Sequence, residues 1–150
     1  MTAPSQSKPV PRAYFTRGYT ISASHRLHTD ALSDEENRAT FGKCNNPHGH
    51  GHNYRIEVTV GGPIAPDTGM VVNMSTLDKI VGKAVVDRFD HMNLNLDPLF
   101  RDHVSTTENL CIVVFELLST KEIAEVLKPA ALQTVRMEET ENNFFEYSGA

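Results

Sequence analysis

Alternation of apolar and polar side chains with a period of two marks the middle of the chain. In His52-Asn53-Tyr54-Arg55-Ile56-Glu57-Val58-Thr59-Val60, Tyr54, Ile56, Val58 and Val60 share one parity and Arg55, Glu57 and Thr59 take the other, as in a strand with one buried face. A second extended stretch runs from Tyr14 to Ser24 and is closed by His25. The later strand is expected to end at Gly61-Gly62-Pro63. Pro66-Asp67-Thr68-Gly69 then turns the chain, and Met70-Val71-Val72-Asn73 resumes extended structure as the far side of a long-tipped hairpin. The period next lengthens to that of a helix. Ser75 with Asp78 reads as a cap, and Leu77, Ile80, Val81, Ala84, Val85 and Phe89 form one face of a helix that stops near Asp90-His91. Ser105-x-x-Glu108 opens a second helix striped by Leu110, Val113, Val114, Leu117 and Leu118. Cys111 lies inside it and reads as a small buried hydrophobe. Leu132 to Thr140 alternates again, with Val135, Met137 and Glu139 on one face, and Phe144 to Tyr147 adds a short edge.

Between the first two strands lies a polar excursion, Thr29 to Pro47, with room for a short helix around Ser33-Asp34-Glu35-Glu36-Asn37; it reads mainly as a functional insertion. The order strand, strand, strand, helix, helix, strand predicts an α+β fold, a largely antiparallel sheet with two helices on a single face. Such a layout leaves the other face bare. The Tyr54 to Val60 face and the histidines beside it need shielding, which self-association supplies.

A chain of 150 residues with 39% hydrophobic side chains suits one domain with a real core. Residues 1–12, rich in Ser, Pro and Lys, read as a mobile arm ahead of a single domain over 13–150. No run approaches the ~20 apolar residues of a membrane helix, and the arm lacks the apolar centre of a secretory signal. Two cysteines make no disulfide framework, so a soluble protein of a reducing compartment, the cytoplasm, is expected. A formal charge of −5 disfavours nucleic acid as a partner. An anionic ligand then needs a locally positive pocket, for which a metal, Lys43, Arg26 and Arg101 are candidates.

His50-Gly51-His52 changes this picture. Side chains two apart on a strand stand ~6.6 Å apart on one face, so both rings can converge on one ion, and His25 can add a third nitrogen from the neighbouring strand. Three imidazoles leave one tetrahedral position open, the pattern of catalytic zinc, with Zn–N distances of ~2.0–2.1 Å. The bland alternative is that seven histidines in 150 residues produce His-x-His by chance. His48 shares the parity, but Pro47 and Gly49 place it in a loop; His28 and His103 read as ordinary surface histidines.

Phe41-Gly42-Lys43-Cys44-Asn45-Asn46-Pro47-x-Gly49-His50-Gly51-His52-Asn53-Tyr54 resembles the signature of the 6-pyruvoyl tetrahydropterin synthase family. Ser22-Ala23-Ser24-His25-Arg26-Leu27, Leu32-Ser33-Asp34-Glu35-Glu36-Asn37, Asp67-Thr68-Gly69-Met70-Val71, Asp90-His91-x-Asn93-Leu94, Ser105-Thr106-Thr107-Glu108-Asn109 and Glu139-Thr140-x-Asn142-Asn143 resemble its other blocks in the same order, across most of residues 20 to 147. The resemblance implies the T-fold: a four-stranded antiparallel sheet with two helices on one side, trimers closed around a barrel, and two trimers paired into a homohexamer. It also implies zinc, a pterin triphosphate substrate and tetrahydrobiopterin synthesis. In its terms His25, His50 and His52 ligate Zn2+, Cys44 accepts a proton, Asp90 and His91 are its relay partners and Glu139 anchors the pterin, in a site assembled at subunit boundaries.

Chemistry agrees with these roles. A thiol of pKa ~8.5 needs a partner such as His91 to ionise at neutral pH; for Asp90 the relay role is favoured over capping a helix end or binding a group of another subunit. One carboxylate at Glu139 can take two parallel hydrogen bonds from the guanidine-like edge of a pterin. Thr106 and Thr107 can bind pterin or phosphate through hydroxyl and backbone donors, and simple capping explains them equally well.

Three rivals remain. A 6-carboxytetrahydropterin synthase of the same fold has a shorter gap than the five residues between Cys44 and His50. A cupin-type oxygenase would need Glu57 on the face of His50 and His52. In a structural zinc module Cys44 would complete the coordination sphere.

Overall fold

The computed structural model describes residues 7–150. The expected mobile arm thus falls partly outside the described residues. Within them, residues 7–11 form no regular element, and the first strand already begins at Arg12.

Strand β1 (Arg12–His25) pairs antiparallel with β2 (His50–Pro63) in unbroken register, from Arg12 opposite Pro63 to His25 opposite His50. The predicted parity holds along both: Ile21, Ala23 and His25 are buried on β1, and Tyr54, Ile56, Val58 and Val60 on β2. Each such aliphatic burial stabilises by roughly 1.5–3 kcal/mol. The polar excursion between these strands contains helix α1 (Asp34–Phe41), started by a reciprocal capping box between Ser33 and Glu36, and a 3-10 turn at Gly42–Asn45.

Beyond β2 the expected strand at Met70–Asn73 is absent; the segment bends directly into helix α2 (Met74–Val81). Asn73 is the reason. Its side chain accepts the Thr76 backbone N–H, so the cap lies at Asn73 and not at Ser75. The helix continues through a π-helical stretch, Gly82–Val86, into α3 (Asp87–Phe89). Leu77, Val81, Val85 and Phe89 line its buried side at every fourth residue, a row that a wider π turn keeps facing the sheet. The two-residue strand β3 (Met92–Asn93) then joins the edge of β1 in parallel.

Helix α4 (Thr107–Leu118) buries Leu110, Cys111, Val113, Val114 and Leu118. Its cap is Thr106, which accepts from Asn109, and not the expected Ser105. A short α5 (Lys121–Leu127) leads to β4 (Ala131–Thr140) and β5 (Asn143–Tyr147).

The sheet order is β3-β1-β2-β4-β5, with β3 parallel and the rest antiparallel. The α+β class stands; the sheet is five-stranded and mixed rather than four-stranded and antiparallel. The helices cover the Tyr54 to Val60 face. Many side chains of the opposite face are polar and paired, Arg136 donating to Glu57 at 2.6 Å and Thr16 meeting Thr59 at 2.7 Å, with Tyr14 and Phe144 exposed among them. The apolar strand face therefore needs no second copy for cover, contrary to the expectation from layout.

A three-histidine centre and its surroundings

His25 and His50 are opposed at the last rung of the β1–β2 ladder, and His52 lies two residues further on the same face. Register and parity alone bring the rings together. One ring nitrogen from each lies within 4.8 Å of those of the other two, and the Nε2 atoms of His25 and His50 are 3.1 Å apart. Two ligands of a tetrahedral zinc at ~2.0–2.1 Å stand ~3.3 Å from each other.

Two further observations fit a cation here. His25 Nδ1 lies 2.6 Å from the Ser105 carbonyl, which accepts its proton and leaves Nε2 with a free lone pair. His52 Nε2 is buried with no hydrogen-bond partner, an orphan that a bound ion would satisfy. Burial pushes the pKa values of both His25 and His52 down, against the raising influence of the Ser105 carbonyl on His25 and of Glu139 on both. For these two rings burial favours the neutral form, the one that binds a metal.

Tyr54, fully buried, packs edge-on against His25 and His52, with ring centroids 6.2 and 5.4 Å away. Burial pushes its hydroxyl pKa far above the ordinary value. As a continuation of the histidine face it was visible by parity, whereas nothing in the sequence pointed to the carbonyl of Ser105.

Glu139 approaches from β4, its Oε1 3.4 Å from His52 Nε2 and 3.8 Å from His25 Nε2. The β4–β5 register shifts between Glu138 and Thr140, so Glu139 occupies a bulge, a device that re-aims a side chain. Burial would raise its carboxyl pKa; the Asn143 amide at 2.8 Å, Thr107 and the histidines outweigh that and hold it below the ordinary value. Thr107 is buried and its Oγ lacks a partner meeting hydrogen-bond geometry, while Thr106 is occupied as the cap of α4.

Cys44 sits on the Gly42–Asn45 turn, half-buried and a free thiol. Its carbonyl accepts from Leu27 N–H at 2.9 Å, and the buried Asn45 donates to the Leu27 carbonyl at 2.7 Å. The turn is thereby stapled to the segment leaving His25. Among the described residues the cluster that could hold a metal ion contains the three histidines and not Cys44.

Asp90 and His91 lie elsewhere, at the β1–β3 edge. Asp90 Oδ1 accepts the Ser22 N–H at 2.8 Å and Oδ2 lies 3.0 Å from His91 Nδ1. His91 holds a left-handed backbone, φ 60°, and its side chain is 81% exposed. The two side chains pair with each other, and within one chain His91 makes no hydrogen bond to Cys44. Glu57 faces away from the histidines and pairs with Arg136, which removes the cupin-type ligand set.

Residues 14–150 match the family described as 6-pyruvoyl tetrahydropterin synthase. The chain belongs to that family. A human relative named 6-pyruvoyl tetrahydrobiopterin synthase is 48% identical over 139 residues, 92% of each chain. One from Poecilia reticulata with the same name is 45% identical over 99% of each. The solved 6-pyruvoyl tetrahydropterin synthase of Caenorhabditis elegans superposes with a TM-score of 0.85 at 40% identity, over 96% of this chain and 100% of that one. Family membership makes this chain an enzyme of pterin chemistry.

Proposed function

We propose that the chain converts 7,8-dihydroneopterin triphosphate to 6-pyruvoyl tetrahydropterin in tetrahydrobiopterin synthesis, eliminating triphosphate and rearranging the side chain by internal redox. The observation that carries this reading is the three-imidazole cluster, with the free thiol Cys44 outside it on a turn bonded to the segment that leaves His25, in a chain of this family. His25, His50 and His52 would hold zinc, which supplies Lewis acidity to the substrate's side-chain oxygens and makes the neighbouring C–H protons more acidic.

The protein supplies the rest. Cys44 takes a proton from the side-chain carbon as thiolate. His91, oriented by Asp90, accepts the thiol proton and returns it in the later step. Glu139, already ionised and aimed by its bulge, accepts two hydrogen bonds from the pterin's amino and ring N–H groups, and Thr106 and Thr107 line the same end of the site. No external redox cofactor is required, because proton transfers alone move the oxidation level from the side chain to the ring.

Exposure of His91 on an open strand edge, with no hydrogen bond to Cys44 of its own chain, favours a relay between copies. This supports a homo-oligomer, read as a hexamer of two barrel-closed trimers. No helix among the described residues is long and apolar enough to cross a membrane, and the proposed location is the cytoplasm.

Purified protein incubated with dihydroneopterin triphosphate, with and without a chelator, tests the assignment. The pyruvoyl product is expected only with metal. Carboxy pterin with released acetaldehyde would instead assign the 6-carboxytetrahydropterin synthase reaction, and turnover surviving complete zinc removal would defeat the mechanism.

A further inference from the structure

We infer that the triphosphate of the substrate lies in a cavity of about 500 Å³ beyond the β1 side of the histidine centre, held by Arg26 and Arg101; this rests on the substrate proposed above. The cavity is lined by His25, Arg26, Asp30, Arg101, Asp102 and His103, among others. It shares His25 with the metal centre, whereas Glu139 reaches that centre from β4. The order across the site is therefore carboxylate, histidines, arginines. The substrate presents its groups in the same order: a pterin ring, a three-carbon side chain bearing oxygens, and a triphosphate.

Arg26 is built to receive an anion. Its backbone is clamped by Asn95, which accepts from the Arg26 N–H at 2.7 Å and donates to its carbonyl at 2.9 Å. Its Nε donates to the Asn45 carbonyl at 3.0 Å, next to Cys44. That bond fixes the guanidinium plane and leaves the terminal nitrogens for a ligand. No carboxylate lies within ion-pair distance of Arg26 or Arg101 among the described residues, in contrast to Arg17, Arg88 and Arg136, each bound to an acid. A planar guanidinium with free donors matches phosphate oxygens in pairs.

The other cavities do not compete. One of about 540 Å³ at the β1–β3 edge is lined by neither lysine nor arginine. Another of about 550 Å³ between the helices holds Lys83 and Arg88, but Arg88 is committed to Asp97 and no histidine of the centre borders it. Asp30 and Asp102 at the rim of the first cavity carry charge of the wrong sign for a triphosphate. That gives the inference a test with two directions.

The experiment measures binding of inorganic triphosphate to the zinc-loaded enzyme by calorimetry, together with KM for the triphosphate substrate. R26Q and R101Q should each weaken triphosphate binding and raise KM by about tenfold, the scale of one charge-assisted contact, and D102N should strengthen both. Zinc per chain and binding of dephosphorylated 7,8-dihydroneopterin should stay within about twofold of wild type. Wild-type triphosphate affinity in R26Q and R101Q overturns the inference. So does equal weakening of the dephosphorylated pterin, because the arginines would then be shaping the site as a whole. Should the wild-type chain form no pyruvoyl product, the proposed reaction fails while arginine-dependent triphosphate binding still supports this subsite.

Discussion

Three residue-level devices make the candidate site: parity on two strands, a bulge on a third and one backbone carbonyl. Parity was legible, since His50, His52 and Tyr54 are two apart and a strand can only send them one way. The bulge was not, because nothing local marks Glu139 as the extra residue between Glu138 and Thr140. Its inward direction was nevertheless read correctly from Val135 and Met137. The Ser105 carbonyl, 80 residues from His25, depends on tertiary packing and leaves no local signal. Glu139→Gln removes a charge-assisted pair of bonds, so substrate affinity should fall about tenfold to a hundredfold with zinc retained. Steady-state kinetics and metal analysis check this, and unchanged KM and turnover would dismiss Glu139 as the anchor. His52→Ala should lower zinc affinity about tenfold or more, read by chelator competition; an unaltered affinity would remove His52 from the ligand set.

Elements were legible where a long period repeats and misread where capping or local geometry decides. β1, β2, β4 and the two amphipathic helices were all expected within a few residues. The caps were misplaced by one or two positions, because Ser, Thr and Asn near a helix start compete on similar terms and packing selects among them. Asn73 and Thr106 won over Ser75 and Ser105. The π-helical stretch at Gly82–Val86 and the brief α5 have no hydrophobic period of their own. One tie between elements has a clear pH signature: Arg17 on β1 grips Asp78 on α2 with two bonds of 3.0 Å, and Tyr19 adds one of 2.8 Å. The Arg17 and Tyr19 bonds hold the Asp78 carboxyl below its ordinary value of 3.8. Its contribution is therefore present above that value and lost as pH falls through the lowered pKa. Asp78→Asn should destabilise the protein in urea at pH 7, with the difference shrinking below about pH 4; a difference constant with pH would contradict this. Ile56→Ala, at the centre of the buried face, should cost about 2–5 kcal/mol in the same assay.

For the whole molecule, the sheet edges carry the argument. The helices already cover the apolar strand face, so its burial does not call for a second copy, and the edges and the open face remain for assembly. The β3 edge presents His91 to solvent, next to the exposed Met92. If Cys44 of one copy works with His91 of another, C44A and H91A variants, each inactive alone, should regain turnover when dissociated and reassembled together. Random mixing of two types of chain leaves a share of interfaces with both residues intact. Absence of any recovery, with mixed oligomers demonstrated by mass spectrometry, would place the relay within one chain or remove it.

The measurement closest to the central claim is zinc content against turnover in Cys44→Ala. An open three-histidine centre with the thiol acting as a base predicts one zinc per chain, wild-type stability and turnover reduced by a factor of about 10² to 10⁴. Loss of zinc and stability would instead make Cys44 a fourth ligand of a closed structural site, and full turnover would leave the thiol without a role.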